Sequence, residues 1–221
     1  MTALPGRSAW VDSVLKFDPA DIEALKKEFG DQIVEKATVG AINKTVPKLR
    51  TYVSKLVRQE YTISAGDISR QVKFSRASKG SFSAKLLYKG RRVGLINFAA
   101  KPKKVTLGRK RNKGVPWGRV RTGVTVKVKK SGGRKQVTSR SAFIARGANG
   151  NQQVFYRNER GARSRSGKVK IHAMKLLSVP DMVTNAEGDQ AAAYDQFAAT
   201  EFAVEFDRAM DFYLGKQTGA T

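Results

Sequence analysis

The chain has 221 residues, 40% of them apolar, no cysteine and a net charge of +25. The apolar share suffices for a packed core, and the lack of cysteine excludes disulfides and thiolate metal centres. No apolar run approaches the ~18 residues of a membrane helix. The opening MTALPGRSAWVDSVL lacks a charged start followed by a long apolar stretch, so no secretory signal is expected and synthesis inside the cell fits.

The charge is unevenly spread. Residues 1–67 hold 10 Lys/Arg against 9 Asp/Glu, residues 68–175 hold 31 against the single acid Glu159, and residues 176–221 hold 2 against 8. Such an excess of like charge repels itself unless counter-charge is near, which points to nucleic acid or acidic protein surfaces as partners.

Residues 1–17 read as an arm. From residue 18 the pattern is helical: Asp18 suits an N-cap, Pro19 the first helical position and Asp21 the positive end of the dipole. Apolar residues recur at Ile22, Leu25, Phe29, Ile33, Ala37 and Ala41, then at Leu49, Val53 and Leu56/Val57, as one buried stripe. A kink or break is expected near Thr45–Pro47, since Pro47 cannot donate a helical hydrogen bond. Ser64-Ala65-Gly66-Asp67 predicts a capped short helix over Ala65–Val72. The helical part thus spans 18–72.

Residues 73–183 read as a mainly antiparallel sheet of about four to six strands. "FSAKLLYKG" (82–90) and "RVGLINFAA" (92–100) are expected as strands around Lys89–Arg92. "TGVTVKVKK" (122–130) alternates Val124, Val126 and Val128 with Thr125, Lys127 and Lys129, giving one buried and one cationic face. "QVTSRSAFIARG" and "QQVFYRN" supply further strands. Two basic segments, 101–121 and 158–170, are expected as mobile loops. The first carries Lys101, Lys103, Lys104, Arg109, Lys110, Arg111, Lys113, Arg119 and Arg121; the second includes Arg160, Arg163 and Arg165. With Arg146 and Arg157, which end two strands, these are the candidate contacts to DNA or a partner.

From about Gly188 a last amphipathic helix is expected, ending at Gly215 before a disordered KQTGAT tail. Its stripe of Tyr194, Phe197, Phe202, Phe206, Met210 and Tyr213 is a candidate assembly face, packing on the sheet of its own chain or on a neighbour. The fold class is therefore α+β: N-terminal helices, an antiparallel sheet, open or barrel-like, with long basic loops, and a long C-terminal helix over 184–221.

Catalysis is not expected. His172 is a lone histidine with no Cys or second His to share a metal, and Glu159 sits among cations as an ion-pair partner. The glycines form neither phosphate-binding fingerprint. No cofactor is implied. Phe143 and Phe155 lie among Ala142, Ile144 and Val154 on strands apolar on both faces, which favours core packing over base stacking. A basic nucleic-acid-binding protein of ribosomal or nucleoid type remains the alternative to a partner-binding protein.

Several stretches occur in a familiar order: "ATVGAINKTVPKLRTYVSKLV" (37–57), "ISAGDISRQVKF" (63–74), "RRVGLINFAAKPKK" (91–104), "GVTVKVKKSGGRKQVTSRSAFIARGANGNQQVFYRN" (123–158) and "IHAMKLLSVPDMV" (171–183). Together they make the chain resemble the minor tail protein Z family of tailed bacteriophages. Pro47, the missing proline before Ile171 and the rich basic loops depart from the family pattern. The resemblance implies a non-enzymatic virion protein of the tail or neck, made in the host bacterial cytoplasm. It implies action late in tail assembly near the head-proximal end, in tail completion and head–tail joining. The partners it implies are further copies in a ring, a hexamer by preference, and tail terminator, tail tube or head connector proteins. The basic middle of the chain suits either the viral DNA end that enters the neck or acidic surfaces of the tail terminator or connector, and no membrane contact is expected.

Overall fold

Helix α1 (Pro19–Phe29) starts at the proline, whose fixed φ and missing N–H suit a first helical position. The computed structural model describes residues 13–14, 19–106, 119–137, 142–147, 149–157, 171–184 and 190–217, so the expected cap at Asp18 lies outside the described residues. The first break falls at Gly30, not at Pro47. Gly30 has φ 87°, donates to the Lys26 carbonyl at 2.9 Å, and accepts from Ile33 and Val34. It closes one helix and opens the next, in a left-handed conformation that glycine adopts without a Cβ penalty.

Helix α2 (Asp31–Glu60) then runs unbroken through Pro47. An interior proline costs a helix ~3 kcal/mol. Here Thr45, Val46, Leu49 and Val53 are buried around it, and that packing holds the helix together. Ser64 caps α3 (Ala65–Gln71) as expected: its Oγ accepts from the Asp67 N–H at 3.1 Å and donates to the Asp67 carboxylate at 2.6 Å.

The strands form four small sheets, with no closed barrel among the described residues. In the first, β1 (Ser13–Val14) and β2 (Val72–Ser75) flank β3 (Lys85–Tyr88), all antiparallel. The chain then leaves that sheet. Strand β4 (Arg92–Gly94) pairs with β11 (Lys175–Ser178), so residues 82–100 make no hairpin. After β4 the backbone tightens into a 3-10 turn at Leu95–Asn97, pinned by the fully buried Phe98, which ends the expected strand early. Strands β5 (Lys101–Thr106), β6 (Arg119–Val126) and β7 (Lys135–Gln136) form the third sheet, and β8 (Phe143–Arg146), β9 (Gln152–Arg157) and β10 (Ile171–Ala173) the fourth. The segment 101–121, expected as a loop, is therefore strand at both ends. Residues 107–118 and 158–170 lie outside the described residues.

Short helix α4 (Val179–Thr184) and long helix α5 (Gln190–Gln217) complete the chain. Helix α5 continues through Gly215 to Gln217, so Lys216 and Gln217 are helical rather than tail. Gly215 is half-buried in the last turn, directly after Tyr213 and Leu214, which pack on the α2 cluster.

Contacts divide the chain into two compact units. The helical unit comprises 1–57, 68–91 and 179–221; the sheet unit comprises 58–67 and 92–178. In the helical unit Ile33, Val34 and Ala37 of α2 pack on Ala209 and Met210 of α5, with Leu25, Phe29, Phe206, Tyr213 and Leu214 around them. In the sheet unit Leu95, Phe98, Val124, Val126 and Val154 are buried.

Candidate functional site

Charge follows the division into units. The segments of the sheet unit hold 25 of the 43 Lys/Arg and 3 of the 18 Asp/Glu, a net +22. The helical unit holds the remaining 18 and 15, a net +3.

On the β5–β6–β7 sheet, Lys101 stands across from Thr125, and Thr125 from Gln136. Lys101 and Lys103 are exposed, and the Lys103 Nζ donates to Gln136 Oε1 at 2.7 Å. Exposed Arg134 donates to the carbonyls of Ala99 and Thr125 and so braces β6. The pairing shifts by one residue between Pro102 and Lys104, where Gly123 adopts φ 86°. A glycine of positive φ at such a step is the mark of a bulge. Beyond it Lys104 stands across from Arg121, and Thr106 from Arg119. The bulge precedes the alternating stretch: Val124 and Val126 are buried as expected, but β6 ends at Val126, so Lys127 and Lys129 of the expected cationic face lie beyond the strand, and Lys129 pairs with Glu60. Arg109, Lys110, Arg111, Lys113, Arg160, Arg163 and Arg165 lie outside the described residues.

Strands β8 and β9 pair Phe143 with Phe155 and Ile144 with Val154. Val154 is fully buried, but the two phenylalanines are half-buried, so the expected core role belongs to Val154. Their ring centroids lie 6.0 Å apart, and the Arg157 guanidinium sits 5.0 Å above the Phe143 ring. Arg146 is exposed at the end of β8. His172 is exposed on β10, with its ring 5.5 Å from that of Tyr156. An open cleft of about 400 Å³ nearby is lined by Ile96, Ala100, Pro102, Ala142, Phe143 and Gln152, none of them titratable. Among the described residues no group of three His, Cys, Asp or Glu is placed to hold a metal ion.

The aromatic stripe of α5 packs within its own chain, on the helices rather than on a sheet. Tyr194 and Met210 are buried. Phe197 stacks on Tyr52 of α2, with centroids 4.0 Å apart and planes 2° from parallel. Phe206 and Tyr213 pack on the α2 cluster, and half-buried Phe202 stacks on Phe206 at 5.7 Å. As an assembly face the stripe is thus largely occupied. The large apolar side chains that remain exposed on α5 are Val204 and Phe212, the latter 56% exposed.

An ion cluster joins the two helices, unforeseen because its members are far apart in sequence. Lys48 Nζ lies 2.7 Å from both Glu201 and Glu205, and Glu205 also meets Arg208 at 2.9 Å and Lys44 at 3.5 Å. Hydrogen bonding to Lys48 holds the Glu205 carboxyl below its ordinary range. Hydrogen bonds to Glu201 and Glu205 raise the Lys48 ammonium above its ordinary value.

Two of the motifs behind the resemblance acquire a structural reason. Within "AINKT", the Asn43 amide donates to the Ala77 carbonyl at 3.0 Å and accepts from the Ala77 N–H at 2.9 Å. It ties the segment between β2 and β3 to α2. Within "LSVP", Ser178 and Val179 are buried where β11 turns into α4, and Pro180 occupies the first turn of that helix.

A family model described as prophage minor tail protein Z matches residues 19–218, from the first residue of α1 to just past the end of α5. No curated protein and no solved structure matches the chain. With nearly its whole length matched, the chain belongs to the prophage minor tail protein Z family and is a structural protein of a phage tail.

Proposed function

We propose that this tail protein is a completion or neck component at the head-proximal end of the tail, where it helps the tail join the filled head. It acts by contact and not by catalysis, as a closed ring of like subunits, a hexamer by preference. The neighbours in this reading are tail terminator, tail tube or head connector proteins, and the protein's place is the virion.

The observation that carries this reading is the unequal charge of the two units, +22 against +3, on one chain. A ring built on rotational symmetry needs unlike patches that meet head to tail. The sheet unit supplies a cationic patch. Helix α5 supplies Asp195, Asp207 and Asp211, three exposed carboxylates with no ion pair among the described residues. Among the described residues, the groups whose proton affinity is displaced, Lys48, Glu205 and Tyr88, all belong to the helical unit and not to the basic sheet unit. Membership in a tail-protein family displaces the ribosomal or nucleoid alternative.

Deleting the gene from the phage tests the reading. The expected result is a large loss of infectious particles, with filled heads and full-length tails left separate or unproductively joined under the electron microscope. Normal titre from the deletion defeats the neck assignment.

A further inference from the structure

We propose that the solvent face of the β5–β6–β7 sheet, with Lys101, Lys103 and Arg134 around Thr125 and Gln136, is a docking surface for the phosphate backbone of double-stranded DNA. The surface follows from charge and pairing within the sheet unit, and it stands whether or not the protein sits at the neck.

The sheet unit has almost no internal counter-charge. Its two described acids are both engaged: Glu60 lies 2.8 Å from Lys129, and Asp67 takes the Ser64 hydroxyl at the start of α3. Lys101, Lys103 and Arg134 are exposed on this face, and Lys130 on the turn beside it. Arg134 is held by backbone carbonyls and Lys103 by Gln136, so these two cations are already oriented when a ligand arrives.

Scale favours nucleic acid over an acidic protein. Neutralising +22 with a protein surface takes on the order of twenty clustered carboxylates, which would repel each other in the free partner. Duplex DNA supplies one charge per ~1.7 Å, so about 37 Å of it carries the same number. The nearby aromatics argue against base stacking. The Phe143 ring lies under Arg157, and Tyr156 lies beside His172. Among the described residues this surface offers cations and no free aromatic platform, the pattern of a surface that reads phosphates and not bases.

The test is fluorescence anisotropy with a random-sequence duplex of roughly 20 base pairs, titrated with the full-length protein between about 50 and about 200 mM salt. Binding is expected to weaken steeply with salt. The triple variant Lys101→Gln, Lys103→Gln, Arg134→Gln should lower the slope of log K against log salt by about 2 to 3. A control removes three exposed lysines from the helical unit, Lys27→Gln, Lys36→Gln, Lys55→Gln, and should change the slope by less than one. Should the sheet triple unfold on heating below wild type, Lys101→Gln with Lys103→Gln carries the same comparison. Equal losses in sheet and control variants overturn the proposal. So does absence of duplex binding at about 150 mM salt, the result expected if the face meets an acidic protein. Tighter binding to single-stranded DNA of the same length also overturns it, since it requires base stacking.

Discussion

Asn43 illustrates how much one side chain can hold. Its amide satisfies both main-chain groups of Ala77 across 34 positions of sequence. Asn43→Ala leaves a buried carbonyl and N–H unpaired and should destabilise the protein by about 2 kcal/mol. Asn43→Asp keeps the acceptor and loses the donor, so it should fall between the two in chemical denaturation. Tyr88 presents the opposite case. Its ring is buried, burial pushes its phenol well above the ordinary value, and its hydroxyl has no hydrogen-bond partner among the described residues. Removing an orphaned buried hydroxyl removes a desolvation cost. Tyr88→Phe should therefore raise the melting temperature, by an amount corresponding to about 1 kcal/mol.

At the scale of elements, the pairing of α2 with α5 governs the helical unit. Two apolar contacts, Tyr52 with Phe197 and the Ala37–Met210 cluster, are joined by the ions around Glu205. Glu205 is only 6% exposed at its side chain, so its charge depends on Lys44, Lys48 and Arg208. Because its folded pKa is depressed below 4.5, ionised Glu205 stabilises the fold fully above that value, and the contribution is lost as pH falls through the folded pKa. Lys48 has the opposite sign: its contribution is complete below pH 10.5 and is lost as pH rises through its raised folded pKa. Melting temperature against pH should fall below about pH 4.5 in the wild type. In Glu205→Gln, where Lys48 still reaches Glu201, the acid fall should be shallower and the plateau lower. An unchanged acid profile in that variant would show that other carboxylates control it.

For the whole molecule, the division of charge decides what the chain does with its partners. Concentrating 25 cations in one unit costs self-repulsion that only an external anion relieves. Neutralising Arg109, Lys110, Arg111 and Lys113 together should change thermal stability by no more than about 0.5 kcal/mol, as surface substitutions do. The same variant should reduce the yield of joined, infectious particles in a complementation assay. A large fall in melting temperature instead would mean that this stretch belongs to the core.

Much of the architecture was legible in local chemistry. Pro19, the Ser64–Asp67 cap, the 3–4 spacing along α2 and α5 and the alternation around Val124 each act within a few residues, and each produced the element expected of it. The uneven charge and the order of the family motifs were legible as well, and they carried the family. What tertiary structure decided was every outcome set by distant partners. Packing carried α2 through Pro47, and α5 runs on through Gly215, where local propensity predicts ends. Strand pairing sent β3 and β4 to different sheets, and β6 ended at Val126, before most of the cationic face expected along 122–130. The aromatic stripe of α5 announced an apolar surface, but whether that surface meets a neighbour or its own α2 depends on a contact more than a hundred residues away in sequence. Amphipathicity reports that a face must be covered; only the folded chain determines what covers it.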